Sequence, residues 1–192
     1  MRKRNMKDLK EKYQKEVIPA MREKFSYKNL MAVPKIEKIV VSAGIGKAIV
    51  QKTSDEQKKA IEAVVLGISS LAGQRPSVSK AKKSVASFKL RQGMTVGARV
   101  NLRGKRMYDF LSRLINIAIP RLRDFRGIDV KSFDRQGNLN LGFREHSVFP
   151  EISPEEIRFP FGVEVTVVTT SKSKEEGVEL LRLIGFPIKK LD

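Results

Sequence analysis

The chain has 192 residues, 41% of them hydrophobic, which is enough apolar surface for one folded domain of ordinary size. Its 39 Lys and Arg outnumber its 21 Asp and Glu, and a formal net charge of +18 indicates a polyanionic partner, most often nucleic acid. Cysteine is absent and no apolar run approaches the ~20 residues of a membrane span, which excludes disulfides, thiolate sites and a membrane-spanning helix.

The N-terminal part predicts a helix and then a strand. Apolar residues recur at helical spacing over residues 6–17, and Pro19 is expected to break or restart this helix. No apolar stretch follows the basic start, so we expect no secretory signal and a cytoplasmic protein. After Pro34, a run rich in β-branched residues predicts a first strand that ends at Gly44-Ile45-Gly46.

The clearest predicted helix follows Thr53. Thr53 and Glu56 have the spacing of a capping box, in which the two residues satisfy each other's free backbone donors. Apolar residues then recur at intervals of three and four as far as Leu71, and Gly73 is placed to end the helix.

Two strands are predicted next. Apolar and polar residues alternate over residues 84–90, which favours a strand with Phe88 in the core. The alternative is that the Phe88 ring stacks on a base. The alternation is cleaner over residues 96–102, where Arg99 and Asn101 point away from the apolar face.

The remaining elements are a helix, an irregular region, a strand and a helix. An apolar stripe predicts a helix over residues 105–119. Residues 121–150 are irregular, with a short hairpin expected around Gly137. The alternation of residues 163–167 predicts the last strand, and Ser173 is the expected cap of the last helix.

These elements favour an α+β fold. Strands separated by helices also occur in parallel α/β folds, but alternating strands suit a sheet with one covered face and one open face. We therefore expect a mostly antiparallel sheet with helices on one face, in a single domain over residues 1–192. Residues 1–30 would form a helical extension and residues 31–188 the core. The open face, with Arg99 and Asn101, would be a platform for RNA.

One long segment lacks acidic residues. Between Glu62 and Asp109 there is no Asp or Glu, although Lys and Arg are frequent there. Carboxylates repel phosphates, whereas Lys and Arg gain affinity by releasing counterions, so this segment predicts an RNA-facing surface. The alternative is a solvated basic surface without a partner. Within the segment, Lys80-Ala81-Lys82-Lys83-Ser84 and Arg91-Gln92-Gly93-Met94 predict two exposed turns that contact the RNA backbone.

No residue pattern predicts catalysis, a cofactor or a metal. His146 is the single histidine and is expected on the surface or in a loop. Gly44-Ile45-Gly46 lacks the third glycine of a dinucleotide loop. Several carboxylates that are close in sequence indicate an acidic patch suited to a basic protein partner. They are Glu145, Glu151, Glu155, Glu156 and Glu164.

The chain resembles bacterial-type ribosomal protein five of the large subunit, the universal 5S rRNA-binding family. The resemblance extends from about Leu9 to Lys189 and rests on an ordered series of short matches. They are Gly73-Gln74-Arg75-Pro76, Lys80 to Ser84, Phe88 to Met94, Leu102-Arg103-Gly104, Pro120 to Gly127, Ser132-Phe133-Asp134, Phe149 to Ile152 and Gly185-Phe186-Pro187.

The resemblance implies a structural protein of the central protuberance with no enzymatic activity. Its implied partners are 5S rRNA, large-subunit rRNA, peptidyl-site tRNA, neighbouring large-subunit proteins and the thirteenth small-subunit protein, in an intersubunit bridge. The residues implied to face 5S rRNA are Asn29, Ser42, Gly44, Gln74, Arg91, Thr95 and Arg99. Those of the tRNA-facing loop are Lys80, Lys82, Lys83 and Ser84, and those near the bridge are Glu145 and Glu151.

This chain departs from the family's pattern at two informative positions. Many members have Asn where Ser42 stands, and the serine hydroxyl reaches less far. Many have Gly after Asp134, where this chain has Arg135. Three other classes remain as rivals. They are an RNA-processing enzyme, which would need metal-binding carboxylates beside the basic surface, a DNA-compacting protein, and a membrane-surface protein.

Overall fold

The computed structural model describes residues 9–50, 52–123, 125–152 and 159–189. The chain divides into two compact units, each made of separate stretches of sequence. Unit 1 comprises Met1–Ile39, Arg103–Asn140 and Thr166–Asp192, and unit 2 comprises Val40–Leu102 and Leu141–Val165. The assignment of residues 1–192 to a single domain stays a prediction.

Five strands of the described residues form one sheet in the order β2-β3-β1-β5-β4. The strand at one edge, β2, is antiparallel to β3, with Ser77 opposite Arg99. The predicted α+β fold with a mostly antiparallel sheet is confirmed. The strands are β1 (Ile36–Gly44), β2 (Ser77–Lys80), β3 (Thr95–Leu102), β4 (Leu139–Phe143) and β5 (Val163–Thr169). The helices are α1 (Leu9–Lys12), α2 (Ile18–Phe25), α3 (Gly46–Ile49), α4 (Ser54–Ala72), α5 (Gly104–Arg113) and α6 (Lys174–Ile184).

Unit 1 begins with a continuous helical path in which α1 leads through a π-helical turn, Tyr13–Val17, into α2. The predicted helix over residues 6–17 is confirmed from Leu9 onward, and residues 6–8 lie outside the described residues. Pro19 lies in the first turn of α2, where its missing N–H is tolerated, so the helical path continues to Phe25. Two side chains attach this extension to its unit. Lys12 Nζ donates to the Ile184 carbonyl at 2.8 Å and the Tyr13 hydroxyl to the Pro34 carbonyl at 3.0 Å.

The apolar stripe predicted over residues 105–119 is buried in unit 1 along α5 and the π-helical turn Leu114–Ala118 that follows it. The last predicted helix is also confirmed as α6, whose cap Ser173 accepts from the Glu176 N–H at 3.3 Å. The expected hairpin forms at Gly137, which has a φ of 78°. Among described non-glycine residues only Ser26 and Lys89 have positive φ, so the turn does not require glycine at Arg135.

Unit 2 contains α4, whose buried residues Val64, Ile68 and Leu71 pack the helix against β3. The predicted capping box is present, because the Glu56 carboxylate accepts from both the Thr53 N–H and its hydroxyl at 3.0 Å. These bonds from the Thr53 backbone and side chain hold the pKa of Glu56 below its usual range. Gly73 ends the helix with a φ of 66°.

Two expectations about unit 2 are wrong, namely a strand over residues 84–90 and the burial of Phe88 in the core. Residues 84–90 contain a 3-10 turn, Ala86–Phe88, instead of a strand, and the edge strand of the sheet is β2. Lys89 adopts the left-handed conformation at a φ of 49°, which an extended strand does not accommodate. As a result Phe88 is 60% exposed and does not belong to the core.

His146 is also placed differently from the expectation. It begins the 3-10 turn His146–Val148, so its loop position is as expected, but only 6% of it is exposed. Its ring stacks on Phe161 with centroids 4.6 Å apart and planes 14° apart. The side chain therefore packs in unit 2 and does not lie on the surface.

Candidate nucleic-acid interface

The two basic turns predicted separately are opposite sides of one loop in unit 2, residues 81–94, which joins β2 to β3. The Ala81 N–H donates to the Met94 carbonyl at 2.8 Å, and the Gly93 N–H donates to the Ala81 carbonyl at 2.9 Å. Val85 and Leu90 exchange a pair of backbone hydrogen bonds at 3.0 and 3.1 Å. The β2–β3 loop is therefore internally hydrogen-bonded along its length.

The β2–β3 loop and the adjacent end of β2 present cations to solvent. Lys82, Lys83, Lys89 and Arg91 are exposed in the loop, and Lys80 is exposed as the last residue of β2. No Asp or Glu occurs in this part of the chain. Cations held on an ordered loop without carboxylates can neutralise phosphates whatever the base sequence.

Ser84 has a different part in the loop. Its hydroxyl accepts a hydrogen bond from the Gln92 N–H at 2.9 Å, so it connects the two sides of the loop. The hydroxyl proton stays available for a phosphate oxygen.

The open face of the sheet gathers most of the residues implied to face 5S rRNA. In β3, Thr95 is half-buried and Arg99 is exposed, while in β1 Ser42 is half-buried and Gly44 is exposed. Gln74 follows the C-terminus of α4, and its Nε2 donates to the Asn101 carbonyl at 3.2 Å. Unit 2 thus contains these residues together with Arg91.

Close strand approach shapes this face. A Cβ on Gly97 would lie 2.5 Å from the Ala43 carbonyl oxygen, whereas a Cβ on Gly44 would meet nothing within 4 Å. Gly97 therefore lets β3 approach β1, while the surface above Gly44 is open to a ligand.

A carboxylate that the acid-free segment does not predict also lies on this face. The Ser42 hydroxyl donates to Glu164 Oε2 at 3.4 Å, from β1 to the neighbouring strand β5. A carboxylate repels phosphate but accepts hydrogen bonds from base amino groups or ribose hydroxyls. The face therefore combines a phosphate-binding part around Arg99 with a hydrogen-bond acceptor at Glu164.

Asn29 belongs to unit 1, separately from the other implied 5S-facing residues. It caps the 3-10 turn Leu30–Ala32, and its Oδ1 accepts from the Met31 N–H at 2.9 Å. Asn29 is exposed, and its side-chain NH2 group can still donate a hydrogen bond.

The predicted acidic patch is described only in part. Glu145 is exposed and accepts from the Ser147 hydroxyl at 3.2 Å, and Glu151 is half-buried. Glu164 lies in β5 beside Ser42, and Glu155 and Glu156 lie outside the described residues.

Phe88, which the apolar alternation assigns to the core, is exposed on unit 2. Its exposed side chain lines a cavity of about 650 Å³ in unit 2, bordered by the β2–β3 loop and the end of β1. A signal for exposure is its position between Ser87 and Lys89 inside a run of basic residues, but the apolar alternation outweighs it.

The described residues provide neither of two other classes of site. No group of three or more His, Asp and Glu within them could hold a metal ion. No helix within them is long and apolar enough to cross a bilayer.

Comparison with known proteins gives consistent matches over both units. The model for "Ribosomal protein L5" matches residues 29–91, and the model for the C-terminus of the same ribosomal family matches residues 95–188. Large ribosomal subunit protein uL5 of Carboxydothermus hydrogenoformans is 52% identical, covering 96% of this chain and 100% of that protein. The uL5 proteins of Halothermothrix orenii and Desulforamulus reducens are 49% and 50% identical, covering 95% and 97% of this chain and 98% and 99% of their own lengths.

Proposed function

Since this chain belongs to the ribosomal protein L5 family of the large ribosomal subunit, we propose that it attaches 5S rRNA to that subunit in the central protuberance. The family consists of structural ribosomal proteins and not of enzymes, and its place is the ribosome in the cytoplasm. One observation supports the finer proposal most. Unit 2 combines an ordered, carboxylate-free basic loop with an open sheet face that carries hydrogen-bonding side chains.

The open sheet face is the proposed 5S rRNA site. Arg99 supplies a cation there, and Ser42, Thr95 and Gln74 supply hydrogen-bonding groups on the same unit. Because Gly44 leaves its surroundings open, an RNA backbone can approach the strand closely. Such a face selects RNA by shape and by contacts to ribose and base edges, in addition to charge. Arg91 and Asn29 complete the proposed set, and large-subunit rRNA is a further proposed partner.

The β2–β3 loop is the proposed contact to peptidyl-site tRNA. Lys80, Lys82 and Lys83 contribute phosphate contacts, and Ser84 keeps the loop in shape. These contacts carry no base information, which suits a site that every tRNA must occupy. The loop's internal hydrogen bonds lower the entropy lost when it binds.

The acidic patch is the proposed contact to a basic protein, the thirteenth protein of the small subunit, in an intersubunit bridge. Glu145 supports this because its carboxylate is exposed, and Glu151 follows in the same segment. Opposite charges across such a contact contribute mainly to orientation and association rate. Neighbouring large-subunit proteins are further proposed partners.

Competition binding tests the central proposal. The purified protein is titrated with 5S rRNA across a salt series, with tRNA and duplex DNA of similar charge as competitors. Binding of all three nucleic acids weakens as salt rises, because counterion release then contributes less to the affinity. If 5S rRNA stays bound at a salt concentration that removes the competitors, the protein recognises it by shape and hydrogen bonds as well. If the three affinities fall together, the 5S assignment fails, and equal or greater affinity for duplex DNA would favour a DNA-compacting protein.

A further inference from the structure

Phe88 is a large aromatic residue that the fold holds on the surface of unit 2. It is 60% exposed, although burying its ring would be favourable. The 3-10 turn that carries it is held by two backbone bonds, from Phe88 N–H to the Val85 carbonyl at 3.3 Å and from Lys89 N–H to the Ala86 carbonyl at 2.9 Å. Its exposure is therefore built into the β2–β3 loop.

The ring forms one wall of the 650 Å³ cavity, whose size lies within the range of small-molecule sites, about 300–1,000 Å³. The other walls are mainly apolar, with Val50, Leu90 and Val96 half-buried there. The cavity also borders Gly44, where an added Cβ would meet nothing within 4 Å. A flat apolar group can thus enter between the ring and the strand.

The charges nearby select the kind of molecule that carries such a group. Lys89 lines the cavity itself, and Lys82, Lys83 and Arg91 are exposed on the same loop. The loop contains no carboxylate. A flat apolar group attached to a polyanion is the chemistry of an unstacked nucleobase on an RNA strand.

We propose that the Phe88 cavity receives one unstacked RNA base, with the Phe88 ring as its stacking platform and Lys89 beside the adjoining phosphate. This inference rests on the proposed RNA-binding function of unit 2 and adds to it a base-dependent contact. It differs from the phosphate contacts of Lys82 and Lys83, because a polyanion without bases cannot make it. Stacking tolerates every base, so the contact confers a requirement for a flexible nucleotide and not for a sequence.

A second apolar groove in unit 2 lacks the aromatic ring of the Phe88 cavity. Leu66, 61% exposed, and Val78, 43% exposed, line a cavity beside α4 together with Glu62. It has no aromatic ring among its described lining residues, and it includes a carboxylate. Leu66 therefore provides a matched control, an exposed apolar side chain outside the proposed site.

The test uses the absence of tryptophan from this chain. Phe88→Trp keeps an aromatic platform and places the single tryptophan of the variant at the cavity. The probes are a hexamer of riboadenylate and inorganic polyphosphate of equal charge. We expect the hexamer to quench the fluorescence of this variant and polyphosphate to bind without the same quenching. Equal quenching by the two probes would overturn the inference.

Affinity measurements with Phe88→Ala and Phe88→Leu complete the test on the full chain. Loss of stacking should lower the affinity for the hexamer by roughly 5- to 150-fold. The affinity for 5S rRNA or for tRNA, whichever RNA supplies the base, should fall by a similar factor. Polyphosphate affinity should stay unchanged, and Leu66→Ala should change none of these affinities.

The inference fails if Phe88→Ala and Phe88→Leu bind every RNA as the parent does while remaining folded by circular dichroism. That result leaves the proposed function standing when the parent still prefers 5S rRNA over duplex DNA at high salt. If the parent itself loses that preference, the 5S assignment is contradicted instead. This preference is measured in a separate titration of the parent, so the two failures can be distinguished.

Discussion

The Ser84 hydroxyl accepts a hydrogen bond from the backbone N–H of Gln92 at 2.9 Å, across eight positions of the β2–β3 loop. This bond connects the side that carries Lys82 and Lys83 to the side that carries Arg91. We expect Ser84→Ala to lower the local stability of the loop by about 1 kcal/mol, the usual net value of one hydrogen bond. Hydrogen exchange of the Gln92 amide measures this change.

Ser87→Ala is the control for that experiment. It removes a hydroxyl from the same loop, and no side-chain hydrogen bond of Ser87 occurs among the described residues. Faster exchange at Gln92 in Ser84→Ala alone is the expected result. If both variants exchange alike, the Ser84 bond does not order the loop.

The division of labour between loop and sheet gives a second prediction. Lys82→Ala with Lys83→Ala should weaken tRNA binding more than 5S rRNA binding, because both ammonium groups lie in the proposed tRNA loop. Removing two phosphate contacts should also reduce the slope of log affinity against log salt by about 1 to 2. Filter binding over a salt series measures both effects.

The matched control removes two lysines elsewhere in unit 2. Lys58 and Lys59 are exposed in the first half of α4, and replacing both by Ala changes the net charge equally. Only the loop variant should lose tRNA affinity selectively. Equal losses of tRNA and 5S rRNA in the loop variant would end the proposed division.

The sequence predicts elements whose signals are local. The capping residues Thr53 and Ser173 begin α4 and α6, because their bonding partners lie three residues away. The alternation of β3 also places Arg99 and Asn101 correctly on the exposed side. Capping and periodicity depend on near neighbours in the chain, so they can be recognised without the fold.

The errors concern features that depend on distant residues. The burial of His146 requires Phe161, which follows it by 15 residues and lies just before β5 begins. Residues 84–90 alternate like a strand, yet their partners are each other across a tight turn. Strand β2 escapes prediction because it is a short edge strand with mostly exposed side chains, and its only signal is its pairing with β3.

The candidate site shows the same division. Segment composition predicts the basic loop, since its cations are close together in sequence. The pairing of its two sides and the position of Glu164 beside Ser42 depend on strand order, which composition does not contain. The acid-free segment therefore lies beside a carboxylate that comes from another part of the chain.

The approach of β3 to β1 at Gly97 gives a third prediction. Gly97→Ala would place a Cβ 2.5 Å from the Ala43 carbonyl oxygen, so the strands must shift. We expect a loss of about 1–3 kcal/mol in the free energy of unfolding, the range of overpacking. Urea denaturation followed by circular dichroism measures it.

Gly44→Ala is the control, because the new methyl group meets nothing within 4 Å and the φ of Gly44 is not positive. Its unfolding free energy should stay the same or rise by up to about 1 kcal/mol, since alanine restricts the unfolded chain. Equal destabilisation by both changes would show that the close approach at Gly97 is not the cause.

The Asp134 turn in unit 1 predicts a pH dependence of stability. Burial raises the pKa of the Asp134 carboxyl, but hydrogen bonds from the Asn138 side chain and from the N–H groups of Asn138, Gln136 and Gly137 outweigh it and lower the pKa. A depressed folded-state pKa stabilises the protein above the unfolded-state value, about 3.9, and this contribution is lost as the pH falls through the folded-state value. Asp134→Asn should therefore be less stable than the parent at pH 7 and should approach it below about pH 4. Urea unfolding at pH 7, 5 and 3 gives the difference between the two proteins, and a difference that is the same at all three pH values would show that the charge of Asp134 does not stabilise the turn.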